Sequence, residues 1–246
     1  MKLNQVLDYV NFIIVKELSG DILTPAKFNM LLVAVNLDMF NDKVREVELY
    51  ANQNQIPFTE ALFGHKALRE FHNTQSISLT TGTYNLTSLT GTYGYWGSLT
   101  ALYGNRRVEI ELLNDKEFAG RRTNLLTNPI ENNPIATITA NTLRVLPTNI
   151  ATAEIYFMKI PAEPVYDYYS DQYQNKIYLE YDTSHLLTVG EIGSAGQVEG
   201  QTVASLTTEL EWNQLHHIDF CMEILKKCSV NLNKAEVYQY AQQEKL

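Results

Sequence analysis

The chain has 246 residues, of which 45% are hydrophobic and 19% charged, with 28 Asp plus Glu against 19 Lys plus Arg and a formal net charge of -9. That is enough apolar material for a sizeable core and too little charge for general disorder, so one or two globular domains are expected. The acidic balance argues against a general nucleic-acid binder, whose grip on phosphates needs a clustered basic surface.

Leu3, Leu7, Val10, Ile14 and Leu18 recur at steps of four, three, four and four, the stripe of an amphipathic helix. Asn4, Gln5, Asp8 and Asn11 interrupt this opening run, so it is not of signal-peptide type. Nor does any stretch approach the ~20 apolar residues of a membrane helix. The expectation is a soluble, unsecreted protein.

Ser19-Gly20-Asp21 ends the first helix, and Thr24-Pro25 starts a second that should run to about Asn52. A Thr hydroxyl caps free N–H groups, and proline suits a first-turn position that needs no donor. The stripe of this helix includes Phe28, Leu32, Val35 and Met39, continued by Val47 and Tyr50, with Asn29, Asn36, Asp38, Asp42 and Lys43 off it. Pro57 breaks the pattern, Thr59 offers a cap, and Ala61 to Phe71 reads as a shorter helix.

After His72 the texture changes to Thr, Ser, Gly and Tyr, which favours strands and turns. Further strands are predicted at Arg107–Leu113, Ile135–Ala140, Thr142–Leu146, Ala153–Ile160 and Lys176–Tyr181, with a short helix over Asn114–Leu125. Gly190, Gly193, Gly196 and Gly200 fall within eleven residues and predict a flexible insertion. Helix then returns from about Asn213 to Cys228 on a stripe of Leu215, Ile218, Met222 and Leu225, and again from Asn231 to Leu246. Cys221 and Cys228 share the first of these helices; seven residues at ~1.5 Å rise separate them by roughly 10 Å, too far for a disulfide.

The predicted class is therefore α+β: a helical body formed by N- and C-terminal helices, with a central β-rich insertion. The corresponding division is 1–72, 73–200 and 201–246, the last part packing with the first.

Catalytic signatures are missing. No GxSxG elbow, HExxH, CxxC pair or phosphate loop occurs, and Gly91, Gly94 and Gly97 do not form the dinucleotide pattern. His216, His217 and Asp219 form the sole histidine cluster, but adjacent helix positions diverge by about 100°, so a polar face or subunit contact is the better account. Asp167 and Asp171 can be named as a carboxylate pair for glycoside chemistry, although a chain so rich in acids yields such pairs by chance. Asn85-Leu86-Thr87 matches a glycosylation sequon, read as accidental without a secretory signal. Neither a metal nor a cofactor is predicted, and no enzymatic activity.

Aromatic clustering says more. Tyr93, Tyr95 and Trp96 form one group, and Tyr166, Tyr168, Tyr169, Tyr173, Tyr178 and Tyr181 another. Such side chains bury area while keeping a polar handle and suit interfaces, though an ordinary aromatic β core or a sugar-stacking platform would use them too. Tyr93, Tyr95, Trp96, Tyr166, Tyr168, Tyr169, Tyr173 and Trp212 are the candidate interface residues.

The opening LNQVLDYVNFIIVKELSGDILTPAKFNMLLVAVNLDMFN and the closing LEWNQLHHIDFCMEILKKCSVNLNKAEVYQYAQQEK resemble the terminal helical pairs of neck and ring proteins of tailed bacteriophages, particularly crAss-like phages. The shared features are a Ser-Gly turn before a Thr-Pro-capped helix, the run Asn36, Leu37, Asp38, Met39 and Phe40, and a Glu-Trp that introduces a helix. They cover about a third of the chain; the middle is similar only in texture. The resemblance implies a virion structural protein: a homo-oligomeric connector or adaptor ring between portal and tail, with the portal's twelvefold symmetry. It would be made in the host cytoplasm and assembled with portal and other neck rings. DNA would pass through without sequence-specific binding, along an acidic or neutral lumen, with Lys and Arg concentrated at subunit contacts. A glycan-binding or other accessory tail module is the alternative, and a tail-associated hydrolase a third class.

Overall fold

The computed structural model describes residues 2–18, 22–103, 106–124 and 126–228. The turn Ser19-Gly20-Asp21 and the terminal helix expected over Asn231 to Leu246 lie outside the described residues. Two compact units emerge: Val47–Ile160 is one, and Met1–Glu46 with Pro161–Leu246 is the other. The helical ends thus share a unit, and residues 161–200, assigned on texture to the β-rich middle, belong with them.

Helix α1 spans Leu3–Leu18 and α2 spans Pro25–Asn54. On α1 the buried face is Leu3, Val6, Leu7, Val10, Ile13 and Ile14, a broader version of the predicted stripe. On α2, Phe28, Leu32, Val35 and Met39 are buried as their spacing requires. Asn36 departs from the expectation: it is 2% exposed, because its amide is consumed inside the fold.

The unit Val47–Ile160 is a two-sheet β structure with helical additions. A short helix α3 (Phe58–Gly64) precedes β1 (His72–Ser78), β2 (Thr83–Asn85), β3 (Tyr93–Tyr103), β4 (Arg106–Glu109) and β5 (Glu111–Leu112). Helix α4 (Asp115–Thr123) follows, then β6 (Ile135–Thr139), β7 (Thr142–Leu146) and β8 (Thr152–Lys159). One four-stranded sheet has the order β1-β8-β3-β4 and the other β2-β7-β6-β5. Their inner faces share one core: Ile77, Leu99, Ala101, Ala153, Ile155 and Phe157 from the first meet Ala136, Leu143 and Val145 from the second. Register explains the selection, since Ile77, Ala153 and Ala101 lie opposite one another across three strands and therefore point to the same side.

In β3 the pairing with β8 slips between Tyr93 and Tyr95 and again between Trp96 and Ser98. Gly94 and Gly97 are the extra residues at these bulges, and a Cβ on Gly97 would lie 2.7 Å from the Tyr156 carbonyl oxygen. Helix α4 is capped by Asn114, whose Oδ1 accepts the Glu117 N–H at 2.9 Å. It is tied down by Asp115, which accepts the hydroxyls of Thr137 and Thr139 at 2.9 Å each, and by Arg121, which forks onto Glu111 at 2.7 and 2.9 Å.

The remaining chain forms β9 (Tyr168–Ser170), β10 (Lys176–Tyr178), β11 (Ser184–Leu186), β12 (Ile192–Gly193), β13 (Thr202–Ala204) and helix α5 (His217–Lys227). Strands β10-β9-β12 make a small sheet, and β11-β13 make a separate two-stranded ribbon. The glycine-rich stretch is therefore patterned instead of irregular: Gly190 and Gly200 take positive φ at turn corners, where the Gly200 N–H donates to the Leu187 carbonyl at 3.0 Å. Helix α5 packs on α1 and buries His217, Phe220, Cys221, Ile224 and Leu225. Its stripe is rotated from the predicted one, because Leu215 sits in a preceding 3-10 turn and is 82% exposed.

Candidate functional site

Two asparagines on α2, seven residues and so about two turns apart, reach the same returning segment. Asn29 donates from Nδ2 to the Tyr166 carbonyl at 2.9 Å and accepts the Tyr166 N–H at Oδ1 at 2.8 Å. Asn36 donates to the Ala162 carbonyl at 2.9 Å and accepts the indole N–H of Trp212 at 2.8 Å. The two amides thus satisfy backbone groups of Ala162 and Tyr166 on either side of the Val165–Thr208 bridge.

Beyond this clamp lies the tyrosine cluster. Tyr166 meets Phe28 edge-on at 5.6 Å and Tyr178 at 4.8 Å between ring centroids. The Tyr178 hydroxyl donates to Glu209 at 2.6 Å, and the other oxygen of Glu209 accepts the Leu3 N–H at 2.9 Å. Burial pushes the Tyr166 hydroxyl up to about 12, and burial together with the Glu209 carboxylate raises that of Tyr178.

Asp167 and Asp171, the possible carboxylate pair, are both committed to backbone. Asp167 is 3% exposed; its Oδ1 accepts the Tyr168 N–H at 2.9 Å and the Ser194 hydroxyl, and its Oδ2 accepts the Leu206 N–H at 3.0 Å. Asp171 caps the β9–β10 turn by accepting the N–H groups of Tyr173 and Asn175 at 2.8 Å, and the side-chain amide of Asn175 chiefly lowers its pKa. Both act as pins for the turns of this region. Glu191 plays the same part, accepting the Thr188 N–H and pairing with His185 at 2.9 Å, while Tyr169 stacks on that imidazole at 4.1 Å.

His216 and His217 take different partners. His216 faces Asp219 at 3.6 Å, whereas buried His217 contacts the Trp212 carbonyl at 2.9 Å, and burial lowers its pKa. Cys221 is buried, with its thiol pushed up to about 12 by burial; Cys228 is half-buried, and both are free.

The eight candidate interface residues separate into three environments. Tyr166 and Trp212 are 5% and 3% exposed, so as side chains they belong to the core and present no surface to a partner. Tyr93, Tyr95, Trp96, Tyr168 and Tyr169 are half-buried, with Tyr93 and Trp96 packed edge-on at 5.9 Å and Tyr95 edge-on to Phe58 at 6.0 Å. Tyr173 alone of the eight is exposed, at 75%.

Aliphatic residues, unremarked in the sequence, dominate the exposed apolar surface of this region: Leu186, Val189, Val198 and Leu206 are each more than half exposed. Alternation in β11 and β13 carries a signal for this, but only once the pairing is known. Charge is equally segregated. Val47–Ile160 holds nine acids and nine bases, so the whole of -9 falls on the other unit, and residues 161–211 alone carry nine acids against the single Lys176. The chain matches no protein-family model, and no curated protein shows significant similarity to it.

Proposed function

We propose that this chain is a structural subunit of a ring in the portal-to-tail neck of a tailed phage, acting by symmetric assembly. The two segments that carry the resemblance to phage neck proteins, 3–41 and, among the described residues, 210–228, fall in one unit, the first supplying α1 and the start of α2 and the second α5. There the Trp212 of the Glu-Trp element bonds Asn36 of the Asn-Leu-Asp-Met-Phe run, and Lys227 pairs with Asp38 at 2.6 Å. That convergence of the two resembling segments is the observation that carries the proposal. The β unit and the patterned segment 161–211 then provide surfaces for neighbours in the stack, in the virion and beforehand in the host cytoplasm. The role needs no catalysis, cofactor or metal, and the acidic balance suits a passage that does not grip DNA.

Light scattering coupled to size-exclusion chromatography, with negative-stain imaging, tests this on the full chain alone and with the portal protein. Closed rings of uniform copy number, twelve under the portal's symmetry, are the expected result. A monomer that joins neither its own copies nor the portal would overturn it. A glycan-array signal abolished by Tyr93→Ala would shift the assignment to the accessory-module alternative.

A further inference from the structure

Unpaired sheet edges are where one chain can bond another through backbone alone. The sheet β1-β8-β3-β4 has β1 at one edge and β4 at the other, both in the unit Val47–Ile160. The Leu79 N–H donates to the Ala151 carbonyl at 2.8 Å and continues the β1–β8 register, so Asn73, Gln75 and Ile77 turn their backbone groups toward β8. Those of Thr74, Ser76 and Ser78 point outward, and all three residues are exposed. At the far edge the Ile110 N–H donates to the Leu99 carbonyl at 2.8 Å, so Val108 faces β3, while Arg107 and Glu109, both exposed, point outward. None of these outward N–H and C=O groups has a hydrogen bond among the described residues. Strand β1 is seven residues long, without a proline, a bulge, or any Lys, Arg, Asp or Glu to guard it.

Strand direction and side-chain parity decide what fits these edges. All neighbours in the sheet are antiparallel, so across its four strands β4 runs opposite to β1. Copies related by rotation about a ring axis keep their strand directions, so β4 of one copy meets β1 of the next antiparallel, the more stable ladder. Parity agrees. Ile77, Ala153, Ala101 and Val108 lie opposite one another on the core side, so the outward-bonding residues of both edges carry their side chains on the other face. Residues directly opposite in a ladder share a face, so joining the two edges lines up core face with core face and outer face with outer face, as rotation requires. An odd number of strands would have made the pairing parallel, and edges of unlike parity would have set core face against outer face.

We propose that copies of this chain join head to tail by strand addition, the backbone groups of Arg107 and Glu109 on β4 of one copy pairing with those of the Thr74–Ser78 edge of β1 on the next. The four-stranded sheets then run on as one. Arg107 keeps its side-chain pair with Glu154 at 2.7 Å, since the seam uses only its backbone, and the uncharged β1 sets no like charge against Arg107 or Glu109. Such a contact joins two different patches, so it leaves one of each free at every step and closes when the rotation completes a circle. The inference rests on the ring proposal and names its lateral contact.

Proline substitution at each edge of the full chain, read by sedimentation velocity, provides the test. In Ser76→Pro and Glu109→Pro the N–H that is lost points out of the sheet, so the internal ladder is kept while the pyrrolidine ring obstructs the seam; circular dichroism checks each fold. Each variant alone should associate at least about 30-fold more weakly than the parent chain. An equimolar mixture should form dimers and stop there, because the Ser76→Pro copy still offers β4 and the Glu109→Pro copy still offers β1; absence of mixed dimers overturns the seam. An effect of Ser76→Pro alone would mark a two-fold β1 contact, and of Glu109→Pro alone a two-fold β4 contact; either overturns head-to-tail pairing. Hydrogen exchange on the unsubstituted chain needs no variant to fold: the amides of Ser76, Arg107 and Glu109 should slow more than about 10-fold between dilute monomer and ring, with Gln75 and Ile77 protected in both. Unchanged exchange at the three outward amides overturns the proposal. If the parent chain forms rings and both variants do so equally well, the seam is wrong and the ring proposal stands. A parent chain that stays monomeric, with or without portal, overturns both.

Discussion

Replacing Asp167 tests whether the segment 161–211 is held by a buried carboxylate. In Asp167→Ala the N–H groups of Tyr168 and Leu206 and the Ser194 hydroxyl lose their acceptor together. These bonds are part-buried and Leu206 and Ser194 are exposed, so water replaces part of the lost acceptor; each donor costs toward the lower end of about 1–3 kcal/mol, and a net loss of about 2–3 kcal/mol is expected. Asp167→Asn keeps one acceptor but turns an NH2 group toward a donor, and should lose about 2 kcal/mol. Urea unfolding monitored by near-ultraviolet dichroism of the tyrosines gives the stability, and hydrogen exchange at the Leu206 amide reports the pin itself. A loss under about 1 kcal/mol for Asp167→Ala, with exchange at Leu206 unchanged, would refute this account.

Asn36→Leu should cost about 2–4 kcal/mol, since the Trp212 indole N–H and the Ala162 carbonyl are both stranded, and the fluorescence of Trp212 in a Trp96→Phe background should change. Gly97→Ala places a Cβ 2.7 Å from the Tyr156 carbonyl oxygen and 2.8 Å from Cζ of Phe63, so thermal melting should report an overpacking loss of about 1–3 kcal/mol. Burial holds His217 below its ordinary 6.5, so the unfolded chain takes up the proton first: stability is full above that pH and falls as the pH drops below it. His217→Gln, whose amide can still donate to the Trp212 carbonyl, should flatten part of the slope of urea midpoint against pH, His72 leaving a remainder of the same sign; an unchanged slope would count against it. At the alkaline end the raised hydroxyls of Tyr166 and Tyr178 reverse the logic, stability being lost above about 10, and absorbance near 295 nm should show both ionising only with unfolding.

Local patterns in the sequence carried a good part of this fold. Helical stripes placed α1 and α2, and alternation placed β7, because those elements bury one face and keep the other in water, whereas β6 was marked by its Ile and Thr content and is buried on both sides over Ile135–Thr137. The short helix expected over Asn114–Leu125 is α4, and the structure adds that Asn114 caps it. Other features depend on partners far along the chain. Asn36 reads as a surface residue until the Ala162 carbonyl, 126 residues away, takes its amide. Trp212 reads as an interface aromatic until its indole finds Asn36. The glycines at 190 and 200 look like slack because turn corners and slack have the same composition, and only strand pairing distinguishes them. The exposure of Leu186 was missed for a similar reason: in strands of three residues alternation is legible only once the pairing is known.

The unit that contains α1 is made of two stretches of chain, with all of Val47–Ile160 between them. On the ribosome the intervening β structure is available first as a continuous segment, whereas α1 waits for α5, some two hundred residues later, before its apolar face is covered. Any chain interrupted within the second stretch would carry a formed β unit beside an unclosed helical one. Closure of that unit is thereby coupled to synthesis of the second stretch, not of the first alone.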